Sequence, residues 1–130
     1  MTDIRSQHCI PLALALLLAA CGGGGGASAP AVASDCSSPC ALTLSWSANR
    51  EAGVNAAGGG YHVYYATSPN TALAQATRET VAYDPGLGQT PTSTALQFAA
   101  GTWYLRVVAF SALNPAGSAP SAELALVVAP

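Results

Sequence analysis

Four cysteines are the most reactive side chains of this 130-residue chain, and two of them are close neighbours. Cys36 and Cys40 enclose only Ser37-Ser38-Pro39, and in an exported protein such a pair is typical of a disulfide. Because so small a loop constrains the unfolded chain little, we expect it to stabilise the fold by at most about 2 kcal/mol. A zinc site would require two further ligands at a suitable spacing, and a redox motif would require Cys-x-x-Cys. We therefore predict no metal and no cofactor.

The sequence also offers few residues that could form a catalytic site. His62 is the sole histidine beyond residue 8, and the chain has no Gly-x-Ser-x-Gly sequence in which a serine nucleophile is commonly presented. Asp35, Asp84 and the glutamates are predicted to lie in turns or on polar faces. The sequence therefore predicts that the protein is not an enzyme.

The first 20 residues have the pattern of a secretory signal. Arg5 and the α-amino group outweigh Asp3, and the apolar stretch 9–20 is too short to cross about 30 Å of hydrocarbon as a helix. Small residues stand at the predicted cleavage point before Cys21. An ordinary cleaved signal, with Cys21 at this position by chance, is the alternative to the lipid anchor considered next.

Leu18-Ala19-Ala20-Cys21 also resembles the lipobox of bacterial lipoproteins. The resemblance implies that Cys21 becomes the acylated first residue of the mature chain and that the lipid bilayer is a partner. Gly22, in place of an acidic residue, implies the outer membrane of the bacterial cell envelope. The Gly-rich stretch that follows has nothing to bury, so residues 21–35 are predicted to be the lipidated cysteine and a flexible tether.

The remaining residues, 36–130, are enough for one domain. Charged residues make up 8% of the chain, and its basic residues are four arginines without a lysine. Nucleic acid is therefore excluded as a partner, because binding it requires clustered cationic side chains.

Apolar residues of this domain recur with a period of two. The alternation covers residues 42–46, 61–65 and 124–128, as expected of half-buried strands. Residues 71–79 favour a loop with one helical turn at 72–76, followed by a strand near 77–83. Short strands without a long helix predict an all-β, antiparallel sandwich.

Four segments resemble strands of a fibronectin type III domain. Residues 42–46, 60–65, 98–109 and 117–121 look like its strands B, C, F and G. The resemblance implies a seven-stranded, immunoglobulin-like sandwich with sheets A-B-E and C′-C-F-G. Strand A departs most from the pattern, so we expect it to be short and to end at the Cys36 to Cys40 loop.

Strand F has two possible registers, which exchange its two faces. We prefer the register that keeps Arg106 out of the core, because an unpaired buried guanidinium is costly. Trp103 then replaces a family tyrosine, and its indole N–H should meet a backbone carbonyl. Tyr104, Arg106, Val108 and Phe110 point outward. The predicted core is Leu42, Leu44, Trp46, Tyr61, Val63, Tyr65, Trp103, Leu105, Val107, Leu124 and Leu126.

Strands C and F are neighbours, so their outward residues form one candidate binding face: His62, Tyr64, Tyr104, Arg106 and Phe110. Aromatic residues beside an arginine are typical of binding hot spots, although ordinary cross-strand pairs would look the same. The loops around Arg50-Glu51 and around Leu113-Asn114-Pro115 are a second candidate. We predict a membrane-anchored, non-catalytic binding, adhesion or spacer module for an unknown protein or glycan ligand. A carbohydrate-binding module is the alternative, and it would display coplanar exposed rings.

Overall fold

The computed structural model describes residues 4–8 and 31–130, which form strands and one short helical turn. The strands are β1 (Ile4–His8), β2 (Val32–Ser37), β3 (Cys40–Trp46), β4 (Gly60–Ala66), β5 (Thr77–Ala82), β6 (Ser93–Phe98), β7 (Gly101–Phe110) and β8 (Leu124–Ala129). A single 3-10 turn, Leu73–Gln75, falls within the predicted helical turn. The all-β prediction is confirmed. In the described residues, no helix is long and apolar enough to cross a membrane.

Two sheets face each other. One has the order β1-β3-β6 and the other the order β2-β8-β7-β4-β5. Strands β3, β4 and β7 lie where B, C and F were predicted, and β6 and β5 take the positions of E and C′ in the sheets. Residues 117–121, which resemble strand G, contain no strand. The strand next to β7 is β8, within the alternation predicted over 124–128. All neighbours are antiparallel except β2 and β8, which run parallel. That parallel pair is a departure from the purely antiparallel sandwich expected from the sequence.

The core lies between the two sheets and is filled by alternate residues of each strand. In β3 the buried positions are Cys40, Leu42, Leu44 and Trp46, in keeping with a period of two. Each buried Leu or Val contributes about 1.5–3 kcal/mol relative to an exposed one. The structure also buries most of the other predicted core residues: Tyr61, Val63, Leu105, Val107, Leu124 and Leu126. It buries Val128 at the end of the predicted alternation as well, and Val54, Leu96 and Phe98, which the sequence did not single out.

Two residues predicted for the core lie at its margin instead. Tyr65 and Trp103 are partly buried and pack against Phe98 with ring-centroid distances of 5.7 and 5.4 Å. The Trp103 indole N–H donates to the Ala99 carbonyl over 3.0 Å, as the chosen register of strand F requires. The ring therefore stays at the sheet end, where its polar atom reaches the β6–β7 turn.

Val108 corrects one detail of that register. The side chain points away from the core, as predicted, but it is only 1% exposed rather than open to solvent. The segment after β7 covers it: the Ser118 N–H donates to the Ala109 carbonyl over 2.7 Å, and the Ser121 N–H donates to the Val107 carbonyl over 2.9 Å. Gly117 contacts the Val108 methyl so closely that a Cβ would clash.

The N-terminal region differs from the expectation in two ways. Strand β2 begins at Val32, so the last residues of the tether predicted over 21–35 belong to the sheet, where they hydrogen-bond to β8. The strand that ends at the Cys36 to Cys40 loop, as expected of strand A, is β2, but it belongs to the five-stranded sheet. The place beside β3 is taken by β1, which lies within the predicted leader 1–20. The rest of the leader, Cys21 and the first part of the tether lie outside the described residues.

The predicted disulfide is present. Cys36 and Cys40 are joined with a Cα–Cα distance of 5.6 Å. The bond ties the end of β2, which belongs to one sheet, to the start of β3 in the other.

Candidate binding face

Strand register decides which side chains meet on the outer face of the five-stranded sheet. His62 of β4 lies opposite Val108 of β7, and Tyr64 lies opposite Arg106. Phe110 lies opposite Gly60, at the end of the same pair of strands. Because side chains two residues apart share a face, His62, Tyr64 and Phe110 are brought together.

These three residues form what we call the aromatic cluster. The rings of His62 and Phe110 are stacked, with centroids 4.1 Å apart and planes inclined by 11°. Tyr64 meets the His62 ring edge-on at 6.1 Å and 73°. All three side chains are half-buried, so each keeps some surface available to a ligand.

Gly60 makes the stack possible. A Cβ at this position would lie 2.8 Å from Phe110 Cζ and would also clash with the Val81 carbonyl oxygen of β5. Without a side chain there, the Phe110 ring leans across β4 towards His62. Glycine is therefore required at position 60 because Phe110 and the Val81 carbonyl approach its Cα closely, and not because of a special backbone angle.

The surroundings of His62 favour its neutral form. Burial and the nearby Arg78 guanidinium, in that order, lower the pKa of His62 below its ordinary value of 6.5. The imidazole Nδ1 lies 3.0 Å from the Thr80 hydroxyl of β5, which fixes the orientation of the ring. At about pH 7 the cluster therefore presents an uncharged surface with one hydrogen-bonding edge.

Arg106 makes its contacts with neighbouring parts of the fold and not with the aromatic cluster. Its guanidinium donates to the Thr71 carbonyl, and its Nε lies 3.8 Å from Glu123 Oε2. Glu123 also accepts a hydrogen bond of 2.9 Å from the Asn70 backbone N–H. Arg106, on β7, therefore contacts both the loop that follows β4 and the residue that precedes β8. Such a partly exposed ion pair contributes about 0–1 kcal/mol by itself.

Tyr104 is separated from the aromatic cluster. It lies opposite Ala66 on one side and Ala125 on the other, beyond the row that holds Tyr64 and Arg106. Among the residues that the structure describes, it takes part in no ring pair. The predicted binding face is therefore divided: three of its five residues meet, while Arg106 and Tyr104 have other surroundings.

An open, mostly apolar hollow of about 350 Å³ adjoins the cluster through Phe110. It is lined by Ala57, Gly58, Gly59, Ala82, Tyr83, Pro85 and Phe110. Sequence reasoning missed this site because its residues come from three separate stretches. The available signal was that two turn sequences, Gly58-Gly59-Gly60 and Asp84-Pro85-Gly86, flank the strand predicted as C and the strand predicted near 77–83.

The two candidate loops lie at the same end of the molecule as the hollow. A Cβ on Gly58 would be 2.9 Å from the Ala112 side chain, so the loop before β4 contacts the loop after β7. The first loop is ordered by Asn49, whose backbone N–H donates to the Tyr61 hydroxyl over 2.6 Å. The second displays Leu113 with 97% of its surface exposed. Loops, hollow and aromatic cluster therefore form one continuous candidate surface.

The geometry offers little for hydrolytic catalysis. His62 is held by Thr80 and Phe110 rather than by a serine and a carboxylate. Within residues 4–8 and 31–130, His, Cys, Asp and Glu form no group of three that could hold a metal ion.

The rings do not form the coplanar platform expected for the carbohydrate alternative. His62 and Phe110 are parallel but lie face to face, so each covers one face of the other. Tyr64 is nearly perpendicular to His62. A sugar ring stacks best on exposed ring faces in one plane, and the aromatic cluster does not offer such a plane.

The comparisons with known proteins identify the fold. No family model and no curated protein match the chain. Among solved structures, it is similar to the crystal structure of the chicken CNTN1 FN1-FN3 domains, with a TM-score of 0.52 and 23% identity. The match covers 78% of this chain and 33% of that chain, so this chain spans about a third of its length. The likeness shows a fibronectin type III-like β-sandwich.

Proposed function

Because this fold is typically a non-catalytic binding or spacer module, we propose that the protein is a binding module held on the bacterial cell envelope by a lipid on Cys21. The support for the anchor is the Leu18-Ala19-Ala20-Cys21 motif with its apolar leader and the Gly-rich stretch that follows. Two or more acyl chains hold a protein on a membrane where one does not. Gly22 favours the outer membrane.

The contact is made by the aromatic cluster together with the adjoining hollow. The observation that carries this assignment is the position of Phe110, which stacks on His62 and also lines the hollow. Aromatic side chains next to a concave apolar surface are typical of the centre of a protein interface. We therefore propose a protein ligand, and the stacked arrangement of the rings weighs against a glycan.

Anchoring is tested by fractionation of cells that express the full chain. The Cys21→Ser variant should lose membrane attachment, whereas Ser28→Ala, a change in the predicted tether, should leave it intact. Unchanged membrane attachment of Cys21→Ser would contradict the proposed anchor.

The contact surface is tested by photocrosslinking in the same cells. A photoreactive residue at Ala82, which is exposed and lines the hollow, should yield adducts of defined mass. The matched position is Ala95, which is exposed on β6 in the other sheet and should yield none. Tyr64→Ala should abolish the Ala82 adducts at a cost of about 1–2 kcal/mol in stability, as for exposed cross-strand pairs.

Tyr104→Ala is the matched control, because Tyr104 lies on the same face outside the aromatic cluster. An equal loss of adducts in both tyrosine variants would place the contact elsewhere on the face. Absence of adducts at both photoreactive positions would contradict binding and favour the spacer function.

A further inference from the structure

One edge of β3 is covered by a strand that the proposed processing would remove. Ile4 to His8 pair with Trp46 to Leu42 in an antiparallel register. On the other side of β3, the Trp46 N–H donates to the Thr92 carbonyl over 2.9 Å. Backbone groups of an antiparallel strand point alternately to its two neighbours, so the N–H groups of Thr43 and Ser45 point towards β1.

This inference rests on the proposed function, since cleavage before Cys21 would take β1 away with the leader. The edge left behind would be flat and uncharged. β3 pairs with β6 from Cys40 to Ser45 without a shift in register, and its outward residues are Ala41, Thr43 and Ser45.

The outer strands of the other sheet are protected against pairing. β5 carries exposed Arg78 and Glu79, and the pairing of β2 with β8 is interrupted by a register shift. Charges and irregularities of this kind are common devices against edge-to-edge association. β3 has neither. β6, the opposite edge of the same sheet, also lacks both, but among the described residues β3 is the one of the two whose outer edge accepts an antiparallel strand.

We propose that, in the processed protein, β3 of one copy pairs with β3 of a second copy across the edge that β1 covers. Two identical strands related by a two-fold axis must run antiparallel, and this is the mode in which β1 already occupies the edge. The pairing would continue the sheet with both cores on the same side. The outward residues of β3 are small and uncharged, so they do not obstruct this pairing.

Anchoring makes such a small interface effective. A contact through one strand buries little area and forms a weak dimer in dilute solution. Copies held on one membrane surface meet at a much higher local concentration, which favours the pair without any additional contact.

A disulfide crosslink tests the pairing in cells with the full-length gene. In a two-fold pair centred on Thr43, the two Thr43 Cα atoms face each other at about 5.5 Å, a separation that a disulfide spans. Thr43→Cys in a Cys9→Ser background should therefore give a dimer on a non-reducing gel. Cys36 and Cys40 are already bonded to each other.

A matched variant makes the result specific. Ala95→Cys places a thiol on the same sheet face, opposite Thr43 on β6, and should give no dimer. Intact mass reports whether each chain has been processed.

The outcomes separate the two proposals. A processed, acylated Thr43→Cys chain that stays monomeric overturns the pairing and leaves the anchor standing. Equal dimer from Ala95→Cys also overturns the pairing. A wild-type chain that keeps its leader and carries no lipid overturns the proposed function itself.

Discussion

Trp46 allows the packing of the sandwich to be tested quantitatively. The residue is 4% exposed, and its ring meets Tyr61 edge-on with centroids 5.3 Å apart. Removing a buried Trp side chain costs about 3–5 kcal/mol, a large part of the roughly 5–15 kcal/mol that stabilises a domain. We therefore expect Trp46→Ala to be mostly unfolded at growth temperature or to melt at least roughly 12 °C lower, at about 4–8 °C per kcal/mol.

Trp46→Phe should behave very differently. Among the side chains that the structure describes, none accepts a hydrogen bond from the Trp46 indole N–H, although that atom is buried. A buried unpaired donor costs about 1–3 kcal/mol, so its removal offsets much of the volume lost in the change to Phe. The expected net change is within about 1 kcal/mol.

Thermal melts followed by far-UV circular dichroism measure both variants, with Leu113→Ala as a surface control because Leu113 is 97% exposed. A melting temperature of Trp46→Ala equal to wild type would refute the assigned register of β3. A cost for Trp46→Phe as large as that for Trp46→Ala would show that the indole N–H makes a required hydrogen bond.

Two further predictions concern the binding face. Because burial and then Arg78 lower the pKa of His62, the unfolded chain binds a proton more readily; stability should fall as the pH drops below 6.5. The urea midpoint of the wild type should be lower at about pH 5 than at about pH 7.5, and the difference should be smaller for His62→Gln. An equal difference in the two proteins would mean that other groups cause the loss of stability. Gly60→Ala should destabilise the domain by about 1–3 kcal/mol, because the new methyl meets Phe110 and the Val81 carbonyl. Gly88→Ala is the control, because no atom lies within 4 Å of its added methyl. Its only cost is that of placing alanine at a φ of +67°. Equal melting temperatures for wild type and Gly60→Ala would contradict the described packing.

Local patterns predicted much of the sandwich. The period of two in residues 42–46 and 61–65 identified β3 and β4 with their inward faces. In β7, the cost of burying Arg106 selected the register with Leu105 and Val107 inside. These predictions succeeded because the burial of each residue is determined by the alternation within its own strand.

Features that depend on distant segments could not be predicted in the same way. Val108 has the position of an outward residue, and only the return of the chain at Gly117 covers it. Strand β2 starts inside a low-complexity stretch because β8 supplies its hydrogen bonds. β1 has no apolar alternation in Ile4–His8 and was read only as the start of the leader.

The candidate site shows the same limit. Sequence periodicity placed His62, Tyr64 and Tyr104 on one face, but cross-strand register determines which of them touch. The hollow beside Phe110 is formed by turns far apart in the chain, so composition alone could not reveal it. Arg106 was correctly directed outward, yet its pairing with Glu123 depends on a contact between β7 and the start of β8.

The intact mass of the protein extracted from membranes tests the central claim most directly. The account predicts a mature chain that begins at Cys21 and carries a diacylglyceryl group on that cysteine, with the mass of the Cys36–Cys40 disulfide retained. A chain that begins at Met1, or one that begins elsewhere and carries no lipid, would contradict a membrane-anchored binding module.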